Sequence, residues 1–536
     1  MRWQGSAALV LAVACGGADL ASAQGEAPSA ASATARCDTA LLADDGPHPI
    51  FVRFRSQLFA TGQDFERYVA EHATTKRSKL RTAALEALQQ NAARAAQELA
   101  PLTSELERAD ALRETERFWI VNGLAATATK RAVEQLAAHP AVAYVHLQTQ
   151  PGRKLHVRGE RTPRWIEERR RDLERALAQR QEMPPAAFDP QGLEIPWNLM
   201  RIGADRAWAS GAHGAGVVIA LLDSGVLPLP ALTRALWQNP GEKANGADDD
   251  GNGLIDDLFG WDFIGDSPYV IGESGSSHGT MCGGILAGRE DGEPRTITGV
   301  APRASLLVLR GMGDLRAYEY AARAGADVLS MSYMWAEVEL GSFRGVYRTA
   351  HEHLAACGIV AVGGAGNYAR TAPAGRQICL PKDIPIVIAA AGIDASGKAP
   401  AFSSRGPCTW SDVPFFHDYP PASPLAKPDV TGCNAGFPVW NRASNARGRR
   451  FELLWDAGDG LGLVRGAQGN SFAGPHAGGV AALLLSAQPE LTPWRVKQLM
   501  EATCEDLGEA GRDLIHGAGL LRADRAVAAA REAALR

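Results

Sequence analysis

The 536-residue sequence predicts an α/β fold with a mostly parallel central sheet between two helical layers, preceded by a small α+β unit. Three observations carry this expectation. After Trp197, short unbroken apolar runs alternate with helical segments. Between residues 51 and 145 the order β-α-β-β-α-β can be read. A stretch rich in proline and arginine, residues 151–193, separates the two. Apolar residues make up 46% of the chain and the net charge is -5, which describes a globular protein with no basic field for nucleic acid.

Taken in order, residues 1–23 read as an export signal. Arg2 gives the positive start, residues 7–15 (AALVLAVAC) the apolar centre, and Ala21-Ser22-Ala23 the small-x-small cleavage site. A lipidated Cys15 is the alternative, disfavoured because Ala12 stands where leucine is preferred. No other run reaches the roughly 18 apolar residues that span a bilayer, so a secreted mature form that does not cross the membrane is expected.

Residues 24–150 hold the α+β unit, of ferredoxin-like order. Residues 51–54 alternate like a strand, residues 64–113 have helical spacing, residues 118–121 and 125–128 read as strands, 130–139 as an amphipathic helix and 142–145 as a last strand. Residues 151–193 read as a basic linker with a processing site, or, for the charged piece 166–182, as a surface helix of the following domain. Residues 194–536 form the main domain. Its apolar runs at 217–222, 306–309, 328–332, 359–362 and 386–391 are what strands of a parallel sheet buried on both faces require. In such sheets reactive groups gather outside the carboxyl ends of the strands.

Four residues stand where that rule directs attention. Asp223 ends the run 217–222; a carboxylate there needs a partner, although in isolation a turn-capping role explains it better. His278 follows Ser276-Ser277 at a helix start, where a lone histidine is more often structural. Ser471, in Gly469-Asn470-Ser471-Phe472-Ala473-Gly474-Pro475-His476, precedes a long apolar helix whose free N–H groups favour a developing oxyanion. Asn367 closes Gly363-Gly364-Ala365-Gly366 and can turn its amide into the same crevice.

Together, in the chain order Asp, His, Asn, Ser, these segments resemble the motif set of the subtilisin-like serine proteases. Further landmarks extend the likeness over nearly the whole chain: Gly299-Val300-Ala301-Pro302, Ala326-Asp327-Val328, Ser403-Ser404-Arg405-Gly406-Pro407, Lys427-Pro428-Asp429-Val430, Leu491-Thr492-Pro493 and Gly517-Ala518-Gly519-Leu520. The resemblance implies a secreted serine endopeptidase. Asp223, His278 and Ser471 would be its triad, Asn367 an oxyanion donor, and Ser332, Tyr333, Gly364, Ala365 and Gly366 its substrate-binding edges. Residues 51–147, with Asn122-Gly123-Leu124-Ala125 and His139-Pro140-Ala141-Val142, resemble the family's inhibitory propeptide, which would make that unit an intramolecular inhibitor of an enzyme acting on proteins and peptides. Two rivals stand beside this reading: a silent binding protein on the same scaffold, and a maturation protease for one partner.

The sequence departs from the family at several places. Asn470 and Phe472 stand where relatives usually carry threonine and methionine, and Ser332-Tyr333-Met334 replaces a serine-leucine-glycine type of substrate strand. Cys282 stands where most relatives have valine, as in the proteinase-K-like branch, and is expected to be a buried free thiol behind His278. Among the other cysteines, Cys357 with Cys379 and Cys408 with Cys433 would close short disulfide loops. Residues 408–465 match poorly outside 427–430 and read as long surface loops. No organic cofactor is implied. Structural Ca²⁺ is, because 248–257 (DDDGNGLIDD) spaces oxygen ligands at alternate positions. Asp248, Asp250, Asn252, the Leu254 carbonyl and Asp256 are the expected ligands, and an acidic surface turn is the alternative.

Overall fold

Alternation along buried strands divides the core into two layers, as the computed structural model describes for residues 36–149, 163–181, 190, 192–272, 276–289, 294–336, 338–447, 451–458 and 460–535. The export signal, the Cys15 alternative and about half of the 151–193 stretch lie outside these residues.

In the N-terminal unit, β1 (His48–Phe54) is followed by α1 (Gly62–Glu71), α2 (Arg77–Arg108), β2 (Leu112–Phe118), β3 (Gly123–Ala128), α3 (Lys130–Ala138) and β4 (Val142–Leu147). The four strands form an antiparallel sheet in the order β2-β3-β1-β4, as a ferredoxin-like unit requires. One expected strand is corrected. Residues 118–121 do not pair as a strand, because β2 ends at Phe118 and Trp119, Ile120 and Val121 turn the chain toward β3. Their apolar character serves docking on the main domain instead. Trp119 and Ile120 donate their backbone N–H groups to Glu319 (2.5 and 2.9 Å), and His353 Nδ1 meets the Ile120 carbonyl at 2.5 Å. The start of α2 adds a charged grip: Arg77 and Arg81 both reach the buried carboxylate of Asp327, at 2.5 and 3.1 Å. Within the 151–193 stretch, α4 (Pro163–Gln181) packs as a surface helix of the main domain would, with Ala176 fully buried in that domain's core.

The main sheet is built from β5 (Val218–Asp223), β6 (Gly260–Asp262), β7 (Ser305–Arg310), β8 (Val328–Met331), β9 (Val360–Gly364), β10 (Ile388–Ile393) and β11 (Val430–Cys433). All neighbours are parallel, in the order β11-β10-β9-β8-β5-β7-β6. Successive side chains face opposite layers. Ile219, Leu221, Leu306 and Val308 pack toward one layer, with α5 (His278–Ala287), α8 (Asn470–Ala487) and α9 (Ala523–Leu535); Ala220, Leu222, Leu307 and Leu309 pack toward the other, with α6 (Leu315–Arg323) and α7 (Arg344–Ala356).

Two further expectations are corrected. The 408–465 segment is not only surface loop: β12 (Val439–Arg442), β13 (Glu452–Asp456) and β14 (Leu461–Arg465) form a separate antiparallel sheet. This sheet is anchored by Trp440, which is buried beside Gly284 of α5 and donates to Thr298 Oγ1 at 3.0 Å. The disulfides are likewise absent among the described residues, since all seven cysteines there are free. Nearness along the chain does not bring them together. Cys408 packs with Ile378 and Ala389, whereas Cys433 belongs to the α5–α8 layer; Cys357 is buried in the opposite layer, and Cys379 points its thiol at the Arg376 carbonyl, 3.3 Å away.

Candidate active site

The carboxyl ends of β5, β8 and β9 and the N-termini of α5 and α8 meet at one place. Asp223, the last residue of β5, is 2% exposed, and its two oxygens lie 2.9 and 3.0 Å from His278 Nδ1. Ser224 N–H also donates to it at 2.7 Å, so the carboxylate is held on both sides. The approach of α5 to β5 depends on Gly279, where a β-carbon would stand 2.3 Å from the Gly225 carbonyl oxygen.

Ser471 enters from α8, whose first turn needs a special backbone. Gly469 has φ +143°, a conformation that L side chains rarely adopt, and the next N–H, of Asn470, donates to Asn367 Oδ1 at 2.8 Å. That bond orients the exposed Asn367 amide beside the start of α8. Asn470 takes up the burden of its unusual position: its fully buried side chain donates to the Gly366 carbonyl (2.8 Å) and Ser403 Oγ (2.9 Å), tying the helix start to the end of β9. Phe472 packs 5.9 Å from the His278 ring. Among the described residues, the Ser471 hydroxyl makes its hydrogen bond to the Ser332 carbonyl, at 3.5 Å, rather than to His278 Nε2. Such catalytic hydrogen bonds commonly tighten only with substrate bound.

The residues expected to form the substrate edges lie near Ser471. Ser332 Oγ donates to the Ser471 carbonyl at 2.7 Å. Gly364 lies so close to α8 that a β-carbon there would stand 2.0 Å from the Asn470 carbonyl oxygen. Ala365 is buried and donates to the Ala390 carbonyl at 2.8 Å, and Gly366 has φ +110°. Tyr333 packs against the helical layer, where its hydroxyl meets that of Tyr318 at 2.6 Å.

Cys282 is fully buried and free, with Sγ 3.8 Å from His278 Nδ1 and 3.5 Å from the Ser471 carbonyl. The His278 pKa is raised, by the negative charge of a Cys282 thiolate when that forms and by Asp223. Burial pushes the Cys282 thiol up, however, so at neutral pH the thiol is protonated and Asp223 is the charge that favours imidazolium. A buried acid, an imidazole held in one tautomer and a hydroxyl at a helix start can together activate that hydroxyl as a nucleophile.

The acidic segment is arranged differently from the expected cage. Asp248 spends its carboxylate on the N–H groups of Gly251, Asn252 and Gly253, and Asp256 spends its own on Asn245 and Gly246. Leu254 donates to Asn252 Oδ1, so these residues brace the loop itself. Carboxylate oxygens that converge within 4.8 Å of one another come from Glu242, Asp250 and Asp257, although Glu242 also accepts the N–H groups of Asp249, Asp250 and Asp256. Asn252 remains beside them, donating to Asp250 and Asp257 at 3.1 and 3.0 Å. Of the expected ligands, Asp250 alone belongs to this triple. Glu242 lies outside the repeating pattern, and Asp257 is one position beyond the last expected ligand. A hard, all-oxygen donor set of this kind suits Ca²⁺.

Comparison with known proteins agrees with this geometry. A model of the subtilase family matches residues 214–519. Bacillopeptidase F of Bacillus subtilis is 26% identical over 438 residues, which cover 77% of this chain and 26% of that protein. A probable subtilase-type serine protease of Deinococcus radiodurans is 29% identical over 339 residues, 60% of this chain and 41% of the relative. Subtilisin E of Bacillus subtilis is 24% identical over 424 residues, 77% of this chain and 82% of the relative. The chain thus matches between a quarter and two-fifths of the length of the first two relatives.

Proposed function

The chain belongs to the subtilase family, and from that premise we propose that it is a serine endopeptidase whose triad is Asp223, His278 and Ser471. The observation that carries this reading is the Asp223–His278 pair, at 2.9 Å, beside a serine that opens a helix and has Asn367 next to it. His278 Nε2 takes the Ser471 hydroxyl proton as Oγ attacks the peptide carbonyl, and returns it to the leaving amine. Asp223 holds the tautomer and stabilises the imidazolium. The Asn367 amide and the Ser471 N–H donate to the oxyanion, and water then releases the acyl group from Oγ. Peptides released from an unfolded protein, with release blocked by a fluorophosphonate, are the expected result; an intact substrate would overturn the reading.

We further propose that the chain is exported as a precursor in which residues 24–150 act as the inhibitory propeptide, removed by a cut within 151–193. The grip of Trp119, Ile120, Arg77 and Arg81 on the main domain supports this. Among the described residues no helix is long and apolar enough to cross a membrane.

Calcium is proposed at Glu242, Asp250 and Asp257, where it would offset the repulsion of three carboxylates and lock the loop. Its role is structural, and no catalytic step passes through it. Chelation is expected to lower the melting temperature by about 5 °C or more. An unchanged melting curve with and without chelator would contradict the assignment.

A further inference from the structure

One buried charge beside the cleft has no role in the chemistry above. Lys382 is fully buried, and its Nζ has no hydrogen-bond partner among the described residues. The amine lies between the two edges that flank Ser471. It is 4.8 Å from the centre of the Tyr333 ring on one side. On the other it is 3.2 Å from where a β-carbon on Gly363 would stand, with Lys382 Cε only 2.3 Å from that point. Gly363 must therefore stay bare for the lysine to pass. Each neighbour is one residue from a direct contact of the nucleophile's segment: Ser332 with the Ser471 carbonyl, and Gly364 with Asn470. The adjacent carboxylate, Asp383, gives Oδ2 to Arg344 at 2.7 Å, and its Oδ1 is buried without a hydrogen-bond partner among the described residues. Burial pushes the Lys382 amine down to about 7, with Asp383 and Asp223 acting in the opposite sense. A buried amine without a partner is costly, and a fold that keeps one calls for a reason.

We propose that Lys382 forms the floor of the pocket for the residue before the scissile bond and selects an acidic side chain there, whose carboxylate becomes its missing partner. This deepens the endopeptidase reading and rests on it. Met334 lays its thioether against Gly366, with Sδ and Cε each 2.9 Å from where a β-carbon on that glycine would stand. Being unbranched and flexible, it is the part of the pocket able to move for an incoming side chain. A neutral glutamine of the same shape would leave the amine unpaired by charge, and a large apolar residue would leave it unpaired altogether.

The test uses the processed enzyme and a set of peptides that differ only at the residue before the cut. The expected result is a kcat/KM for glutamate or aspartate at least about tenfold above that for glutamine, leucine or phenylalanine, as a charge-assisted hydrogen bond supplies. In Lys382→Met the glutamate-to-glutamine ratio falls to about one or below, as loss of that bond requires. A wild-type enzyme that cuts well after leucine or phenylalanine and poorly after acidic residues overturns the assignment of Lys382, whether or not the variant folds. An acidic preference that survives intact in a folded Lys382→Met does the same. Cleavage of none of the peptides, nor of any unfolded protein, would instead sink the endopeptidase reading on which the pocket depends.

Discussion

Ser471→Ala is expected to abolish peptide-bond hydrolysis, lowering kcat by roughly 10⁶-fold, the size known for the nucleophile of a subtilisin. The reason lies in the division of labour at the site. His278 and Asp223 are already paired in the structure, at 2.9 Å, but they have nothing to activate once the Oγ is gone. Orientation by the cleft and the donors near Asn367 would leave only a small residual rate, because those groups stabilise an oxyanion that no longer forms by attack of the protein. The same variant should be secreted with residues 24–150 still attached, which N-terminal sequencing beside the wild type would reveal. Turnover within tenfold of wild type would contradict the role of Ser471.

Mercuric ion is expected to inhibit the wild type by more than about tenfold through the one thiol at the site, and Cys282→Val to remove that sensitivity. Mercury, a soft cation, displaces the thiol proton and binds sulfur tightly. Bound to Cys282 Sγ, which lies 3.8 Å from His278 Nδ1, it would compete with the bond to Asp223. The raised thiol pKa slows the reaction at neutral pH without preventing it, since the metal itself drives deprotonation. Cys379, whose carbonyl accepts the Lys382 N–H at 2.9 Å, and Cys504 are the partly exposed alternatives. Equal inhibition of Cys282→Val would therefore move the effect to one of them. Full activity of the wild type under mercury would refute the proposed position of Cys282 beside the working imidazole.

The parallel sheet was legible because a strand buried on both faces must be apolar at every position, as residues 217–222 are. Asp223 and Ser471 were legible for a related reason: each breaks the pattern at an element boundary, where a polar group needs a purpose. Features that depend on distant partners were not legible. Trp119 and Ile120 look like a strand, since burial against Glu319 and His353 leaves the same apolar signature as burial within a sheet. The acidic loop advertised its own alternation but not Glu242, which joins only through folding. Cysteine spacing suggested bridges that the layers of the core keep apart. Lys382, in an ordinary proline-bounded turn, gave no signal at all. Its meaning comes from Gly363 and Tyr333, neither of which is near it in sequence.

The most direct measurement is to treat the processed protein with a fluorophosphonate and map the adduct by peptide mass spectrometry. A single stoichiometric adduct on Ser471 is expected, formed far faster than on any other hydroxyl, because that oxygen alone has His278 and Asp223 to take its proton. An unlabelled Ser471 in folded protein, or a label shared among ordinary surface serines, would contradict it.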